Sequence, residues 1–432
     1  MSTAATPSPA EAAARAHREQ AERLAATVDD VPADTPLIPI NSVGIIGAGT
    51  MGRGIALAFL NGGFSVVLVE TVPAALENAL TLMRKSYDGQ LRRGQITPEE
   101  VDARLARLTP AGALEDVAGC DLVIEAIYED MDLKKELLGK LDKIVKDGAI
   151  LASNTSYLDI NEIASATGRP GLVLGMHFFS PANIMKLLEV VRGARTSKPA
   201  IATVMQLAGQ IKKVPVLAGV CFGFIGNRML RRRRETVERL VLEGAAPERV
   251  DGVLERFGFA MGPFAMSDMA GLDVGWSAAK STGSTTRELL CEAGMRGQKD
   301  GRGYYLYDEA RNRTPNPAAS EIVRGLADRL QIAQREFTDE EILGAMLYPM
   351  INEGAKILAE KIAQRASDID VTWLNGYGFP AREGGPMYWA DHHGLAKVLA
   401  GMEQLEARYG ADWAPAPLLR TLVNEGRTFG SL

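Results

Sequence analysis

The stretch SVGIIGAGTMG at residues 42–52 decides the fold of this chain of 432 residues. It joins a run of apolar residues, typical of a buried strand, to a glycine-rich turn, and a helical pattern follows directly. A second apolar strand, FSVVLVE at residues 64–70, comes after that helix and ends in Glu70. A glycine-rich turn between a strand and a helix, followed by a strand that ends in an acid, predicts a domain that binds a dinucleotide.

The turn also predicts which cofactor is bound. Because glycine lacks a Cβ, the backbone can approach a pyrophosphate closely, and the free amides at the start of the helix face the phosphates. An acid at the end of the second strand accepts hydrogen bonds from ribose hydroxyls and repels a 2′-phosphate, so we expect NAD rather than NADP. A turn that holds no ligand is the alternative. The residues predicted to bind the cofactor here are Gly47, Gly49, Thr50, Met51, Gly52 and Glu70.

Strand and helix patterns continue to alternate beyond this unit. Apolar strands are predicted at residues 121–127 and 149–153, with a helix near residues 131–145 between them. This alternation predicts an α/β Rossmann fold, with a doubly wound and mostly parallel sheet, over residues 42–218. Residues 1–41 are predicted to form an N-terminal extension that contains a mobile or linker-like helix near residues 10–26.

The chain beyond residue 218 is predicted to be an all-α domain present as two tandem copies. Two short patterns recur, GFAMGP with DMAGL and GFPAREGGP with DHHGL, and three pairs of matching positions within them share a constant spacing of 123 residues. A constant spacing of this kind indicates an internal duplication. The predicted copies are residues 219–333 and 334–432, and the matching positions are Gly262 and Gly385, Asp268 and Asp391, and Gly271 and Gly394.

The composition excludes several classes of partner. Hydrophobic residues make up 46% of the chain and charged residues 24%, as in globular proteins. The net charge of -6 leaves no basic excess for nucleic acid, and no apolar run reaches the roughly 18 residues of a membrane span. The cysteines Cys120, Cys221 and Cys291 are odd in number and widely spaced, so we expect no metal site and a reducing compartment, the cytoplasm.

One of only four histidines, His177, lies in the apolar strand LVLGMHFFSP at residues 172–181. Glu189 follows twelve residues later inside another apolar strand. A carboxylate buried there needs a partner, because a lone buried charge is costly. An imidazole would be a suitable partner, since the carboxylate would fix its tautomer and stabilise its protonated form. The pair is predicted to act as a general base, and a histidine that merely packs in the core is the alternative.

The patterns GAGTMG, IEAIYED, SNTS, GMHFFSP and FGFIGNR occur in this order along the chain. With them the chain resembles the L-3-hydroxyacyl-CoA dehydrogenases from residue 42 to its C-terminus. It is most similar to the dehydrogenase half of the bifunctional enzymes of fatty acid oxidation, in which a hydratase domain precedes this segment. Only 41 residues precede it here, so the resemblance implies the dehydrogenase step alone. That step is the NAD-dependent oxidation of L-3-hydroxyacyl-CoA to 3-ketoacyl-CoA, and its reverse, as in β-oxidation.

The resemblance implies roles in catalysis for four residues. His177 would be the base, and Glu189 would be the carboxylate that orients it. Ser156 and Asn227 match positions whose side chains contact the reacting oxygen of the substrate.

The resemblance also implies binding residues. Glu129 and Lys134 match positions that contact the nicotinamide half of NAD, and Ser86 and Arg93 match positions that contact coenzyme A. The helix that carries Ser86 is rich in basic residues, which an acidic protein needs locally to bind an acyl-CoA thioester. The four arginines at residues 231–234 are predicted to be solvated or to bridge domains, with steering of the coenzyme A phosphates as the alternative.

Two other functions stay open at this point. One is a dehydrogenase of free 3-hydroxy acids, although those enzymes resemble a lysine-based catalytic pattern. The other is a non-catalytic protein that retains the fold. In short members of the family two chains pair through their single helical domains, so the duplicate domain here should make a monomer sufficient, with a dimer as the alternative. A separate hydratase or thiolase would supply the neighbouring reaction steps.

Overall fold

The computed structural model describes residues 8–432. Residues 1–7 of the predicted N-terminal extension lie outside the described part of the chain. Two compact units are present. The first contains the residues up to Arg228 together with Ile357–Tyr377 and Leu432, and the second contains Met229–Lys356 and Gly378–Ser431. No helix within residues 8–432 is long and apolar enough to cross a membrane.

Strands belong mainly to the first unit, whereas the second unit is mainly helical. The strands are β1 (Ser42–Ile46), β2 (Ser65–Val69), β3 (Leu108–Ala111), β4 (Leu122–Glu125), β5 (Ile150–Ser153), β6 (Val173–Phe178), β7 (Leu187–Arg192), β8 (Val214–Gly219), β9 (Tyr305–Tyr307) and β10 (Arg313–Pro315). The α-helices are α1 (Pro9–Ala25), α2 (Thr50–Asn61), α3 (Pro73–Arg92), α4 (Pro98–Leu105), α5 (Met131–Ile144), α6 (Ile160–Ala164), α7 (Lys198–Gln210), α8 (Gly226–Leu242), α9 (Pro247–Phe257), α10 (Pro263–Ala270), α11 (Thr286–Glu292), α12 (Pro317–Arg329), α13 (Asp339–Ala359), α14 (Ala366–Gly376), α15 (Pro386–His393), α16 (Leu395–Tyr409) and α17 (Pro417–Glu425).

The first unit is built around one eight-stranded sheet in the order β3-β2-β1-β4-β5-β6-β7-β8. Neighbouring strands are parallel except β6 and β7, which are antiparallel. The mostly parallel, doubly wound sheet predicted from the sequence is therefore confirmed. Because β1 lies between β2 and β4, the strand order reverses at β1, and a crevice is expected beyond the carboxyl ends of β1 and β4.

Apolar side chains on the sheet and its helices form the core of this unit. Ile45 of β1, Leu68 of β2 and Ile124 of β4 are fully buried, as is Phe59 of α2. Strands of a parallel sheet are apolar on both faces because helices cover both faces. Each such side chain contributes about 1.5–3 kcal/mol by its burial, which holds the strand ends that carry the site in place.

The helix predicted near residues 10–26 is present as α1, which packs against α14 within the first unit. Its buried positions are the small residues Ala14, Ala21 and Ala25. His17 Nε2 lies 2.9 Å from Asp370 Oδ2 on α14. Since α14 also contacts β7 and β8, a segment of the predicted second helical copy belongs to the same compact unit as the sheet.

The duplicated sequence patterns form matching helices in the second unit. Helices α10 and α15 have eight residues each, and each is followed by a glycine with a positive φ, 97° at Gly271 and 103° at Gly394. Asp268 of α10 accepts hydrogen bonds from two consecutive backbone amides, and Asp391 of α15 does the same. The same short helix with the same aspartate anchor therefore occurs twice. The antiparallel pair of β9 and β10 is an addition that the all-α prediction did not include.

Asp368 on α14 makes a testable contribution to stability. Its side chain is fully buried with Arg365 Nη1 3.5 Å away, and burial raises the pKa of this carboxyl from 3.8 to about 6. A folded-state pKa above the unfolded value favours folding while the group is protonated, and this contribution is lost as the pH rises through about 6. We expect Asp368→Asn to be more stable than wild type by about 3 kcal/mol near pH 8 and equal to it near pH 4. Urea unfolding of both proteins at the two pH values measures this, and a difference independent of pH would contradict it.

Candidate active site

The predicted glycine turn lies at the carboxyl end of β1, and its geometry requires two of its glycines. Gly47 has a φ of +96°, which favours glycine, and a Cβ on Gly52 would lie 1.8 Å from the Gly47 carbonyl oxygen. Gly49 is the N-cap of α2 with no side-chain cap, and a Cβ there would meet nothing within 4 Å. The amides of Thr50 and Met51, the first two residues of α2, therefore have no capping side chain in front of them.

Glu70 follows β2 and lies beside this turn. Its carboxylate accepts hydrogen bonds from the Ala48 amide at 3.2 Å and from the Val72 amide at 3.1 Å. The open helix start and the adjacent acid fit the pyrophosphate and the adenosine ribose of NAD, respectively.

His177 and Glu189 face each other across the antiparallel strands β6 and β7, where their Cα atoms are direct partners. His177 Nδ1 lies 2.7 Å from Glu189 Oε2, and the side chains are 5% and 0% exposed. The other carboxylate oxygen accepts hydrogen bonds from the amides of Ile225 at 3.2 Å and Gly226 at 3.0 Å. A buried carboxylate with three donors is well satisfied, and it leaves Nε2 as the nitrogen of His177 that can meet a substrate.

Asn227 directly follows these two amides, at the start of α8. Its Oδ1 accepts a hydrogen bond from the Tyr377 hydroxyl at 2.9 Å. The backbone that anchors Glu189 thus also carries Asn227, so the structure brings three of the predicted catalytic residues together.

Glu129 lies in a second cluster, after β4. Its Oε1 accepts hydrogen bonds from the Thr155 hydroxyl at 2.6 Å and the amides of Ser156 at 2.8 Å and Tyr157 at 3.2 Å. The SNTS turn is therefore fixed to Glu129 through its backbone. The Ser156 side chain is half-buried.

Lys134 supports this cluster from inside the protein. Its side chain is 1% exposed, and its Nζ lies 2.7 and 2.8 Å from the two oxygens of Glu125 and 3.4 Å from Glu129 Oε2. Burial raises the pKa of Glu125, and the Lys134 ammonium opposes that rise. Lys134 therefore lies beneath Glu129 rather than on the surface.

The two residues predicted to contact coenzyme A, Ser86 and Arg93, are not hydrogen-bonded to the His177–Glu189 pair in the described part of the chain. Ser86 is half-buried on α3, and Arg93 caps the end of that helix with its Nε donating to Gln95 Oε1 at 3.2 Å. Among residues 8–432, no hydrogen bond links either of them to His177 or Glu189.

Two residues of the site, Thr155 and Tyr377, were missed by the sequence analysis. Thr155 lies inside the SNTS pattern and donates to Glu129. Its place in that pattern was a usable signal. Asn154 of the same pattern was expected at a strand end near the nicotinamide, and its Oδ1 accepts the Phe178 amide at 2.9 Å, next to His177. Tyr377, which binds Asn227, had no local signal because it lies 150 residues further along the chain.

A dinucleotide turn and a buried His–Glu pair within one α/β unit define a dehydrogenase of the Rossmann class. Residues 42–221 match the model of the 3-hydroxyacyl-CoA dehydrogenase NAD-binding domain, and residues 223–307 and 342–430 match that of the C-terminal domain. The chain belongs to the 3-hydroxyacyl-CoA dehydrogenase family, and its cofactor is NAD. The resemblance seen in the sequence is confirmed.

Comparisons with individual proteins lead to the same family as the family models. The chain is 44% identical over 414 residues to the peroxisomal bifunctional enzyme of Danio rerio, covering 90% of this chain and 56% of that protein. It therefore spans little more than half the length of such relatives. Among solved structures, the 3-hydroxybutyryl-CoA dehydrogenase from Escherichia coli K12 has a TM-score of 0.76 at 26% identity, covering 90% of this chain and 99% of that one. The dehydrogenase part of multifunctional enzyme 1 from C. elegans has a TM-score of 0.67 at 30% identity, covering 94% and 96%.

Proposed function

We propose that this chain oxidises L-3-hydroxyacyl-CoA thioesters to 3-ketoacyl-CoA with NAD and catalyses the reverse reduction. The observation that carries this is the 2.7 Å contact between His177 Nδ1 and Glu189 Oε2, with both side chains buried. A histidine held by a carboxylate is a proton acceptor with a fixed direction, which an alcohol oxidation needs.

The proposed catalytic roles follow from which side-chain atoms remain available to contact the substrate. His177 takes the proton of the C3 hydroxyl at Nε2, because Nδ1 is occupied by Glu189. Glu189 stabilises the positive charge that the imidazole then carries. Asn227 and Ser156 donate hydrogen bonds to the C3 oxygen while it carries negative charge. In the reverse direction the protonated His177 returns the proton to that oxygen.

NAD, when bound, supplies the acceptor for the hydride that leaves C3 as the ketone forms. The backbone of residues 47–52 would hold its pyrophosphate, and Glu70 would bind the hydroxyls of its adenosine ribose. Glu129 would face the nicotinamide half. Lys134 would act through Glu129, since its buried ammonium lies 3.4 Å from that carboxylate.

The coenzyme A part of the substrate is assigned to α3. Ser86 and Arg93 would contact it, and Arg84, Lys85 and Arg92 on the same helix would add positive charge. Arg84 lies 3.5 Å from Asp88, so part of that charge is already paired.

A direct test compares two oxidants of NADH, acetoacetyl-CoA and free acetoacetate. We expect oxidation with the thioester and little with the free acid. Efficient use of the free acid would favour the alternative function, and no activity with either would contradict both. A series from acetoacetyl-CoA to long-chain 3-ketoacyl-CoA then defines the acyl preference.

Glu70 is expected to set the preference for NAD over NADP. Glu70→Gln keeps the size of the side chain but removes the charge that repels a 2′-phosphate and strengthens the ribose hydrogen bonds. Hydrogen bonds to charged groups contribute about 1.5–3 kcal/mol, so the ratio of kcat/KM for NAD to that for NADP should fall about 10- to 100-fold. Glu77→Gln, at an exposed position of α3, is the control and should leave the ratio unchanged. An unchanged ratio in Glu70→Gln would remove this role.

The wider organisation of the protein is also proposed. The duplicated helical domain, with copies at residues 219–333 and 334–432, makes a monomer sufficient, and a dimer mass in sedimentation would reject this. A separate hydratase or thiolase would act on the neighbouring intermediates. The three cysteines are free, which supports a reducing compartment such as the cytoplasm. Microscopy of the tagged protein in its own cells tests that location.

A further inference from the structure

We propose that Tyr377 is a positioning residue for Asn227, an inference that rests on the function proposed above. The Tyr377 hydroxyl donates a hydrogen bond to Asn227 Oδ1 at 2.9 Å. Because the carboxamide oxygen is engaged in this way, the Nδ2 group is the part of the side chain left to donate to the C3 oxygen of the substrate. The opposite orientation of the amide would present an oxygen to the developing negative charge. By donating to Oδ1, Tyr377 holds Asn227 in the orientation that can donate to the substrate.

The Tyr377 ring is held firmly enough to impose this orientation. Its centroid lies 4.8 Å from that of Trp373, a fully buried side chain on α14, and the two rings stack. On another side it meets Phe179 edge-on at 5.4 Å. The Phe179 ring in turn lies 4.4 Å from the imidazole of His177. A continuous row of rings thus connects Tyr377 with the base.

Gly226 gives an independent reason to assign this role. A Cβ at position 226 would lie 2.2 Å from Tyr377 Cε2, so only glycine allows the ring to reach Asn227. The amide of the same Gly226 donates to Glu189 Oε1 at 3.0 Å. Tyr377 therefore packs on the backbone segment that carries both the anchor of Glu189 and the side chain of Asn227.

The duplicated sequence provides a comparison that isolates the Tyr377 hydroxyl. The GF pair at residues 378–379 follows Tyr377, whereas the matching GF pair at residues 258–259 follows Phe257. The two copies differ at this position by one hydroxyl group. Tyr377→Phe therefore gives the second copy the ring that the first copy already has, and it removes only the donor.

The experiment is a double-mutant cycle on kcat for the reduction of acetoacetyl-CoA. Loss of a single donor to a developing oxyanion lowers kcat by about 10²- to 10³-fold, so loss of its orientation in Tyr377→Phe should cost about 10-fold. The KM values for NADH and for the thioester should change less than about 2-fold. In an Asn227→Ala background the same change should have no further effect, because the group that Tyr377 orients is gone.

A matched control is Tyr87→Phe. The Tyr87 ring is fully buried, and its hydroxyl also donates to an asparagine Oδ1, that of Asn61 at 3.2 Å. The kcat of this variant should equal that of wild type. Wild-type kcat in Tyr377→Phe, or an equal loss of kcat with and without Asn227, would overturn the role of Tyr377 while leaving the proposed function intact. A wild-type chain that does not oxidise NADH with any 3-ketoacyl-CoA would instead overturn both.

Discussion

Replacing His177 with glutamine is expected to lower kcat about 10³-fold in both directions, since general acid–base catalysis contributes about 10²- to 10⁴-fold. Glutamine can still hydrogen-bond Glu189, but it cannot take up a proton. Binding of NADH should be retained, because the glycine turn and Glu70 follow β1 and β2, whereas His177 is on β6. Steady-state oxidation of NADH by acetoacetyl-CoA measures kcat, and a fluorescence titration measures the NADH dissociation constant.

His392→Gln is the matched control for this change. His392 lies in the last turn of α15 in the second unit, is exposed, and has its Nδ1 2.8 Å from the Tyr388 carbonyl oxygen. This variant should turn over like wild type. Full activity in His177→Gln would remove the assignment of the base, whereas loss of NADH binding in that variant would point to a general disturbance of the fold.

The His177–Glu189 pair could be predicted because it depends on simple constraints. Two apolar strands separated by a short segment containing a proline tend to pair, and a carboxylate inside one of them requires a partner. The glycine turn was predictable for a similar reason, since the constraints on Gly47 and Gly52 arise within a few residues. Both features are decided by neighbours in sequence or by one pair of adjacent strands.

Features that depend on distant contacts could not be predicted in this way. Nothing near Tyr377 indicates that its hydroxyl meets Asn227, 150 residues earlier. Lys134 was identified as a nicotinamide contact, but its burial against Glu125 depends on how α5 packs on β4. Helical spacing alone does not show which side chains a sheet will cover.

The arginine run at residues 231–234 shows the same difficulty. It was expected to be solvated or to bridge domains, yet its members differ within the second unit. Arg233 is buried with its guanidinium 4.4 Å from the centroid of the Phe259 ring, and burial lowers its pKa to about 10. Arg232 pairs with Glu235 at 2.8 Å. Consecutive helical residues point in different directions, so one pattern contains several environments.

Replacing Glu189 with glutamine is expected to lower kcat about 10²- to 10³-fold, because a neutral amide cannot satisfy both of its neighbours or stabilise a charged imidazole. One carboxylate oxygen meets His177 Nδ1, and the other accepts the amides of Ile225 and Gly226. If the glutamine oxygen faces those two donors, its NH₂ group faces Nδ1. Nδ1 must then accept, and the proton moves to Nε2, the nitrogen that has to be free to act as the base.

The reverse orientation of the glutamine has a different cost. The ring then keeps the right tautomer, but the NH₂ group meets two backbone donors in a buried site, which costs about 1–3 kcal/mol of stability. Glu238→Gln is the control, since Glu238 accepts a backbone amide from Thr286 at 2.6 Å within the second unit. It should cost stability without lowering kcat in the folded protein. Of these two variants, we therefore expect only Glu189→Gln to lose turnover, at unchanged KM. If its kcat instead equals that of Glu238→Gln, Glu189 is only a structural carboxylate.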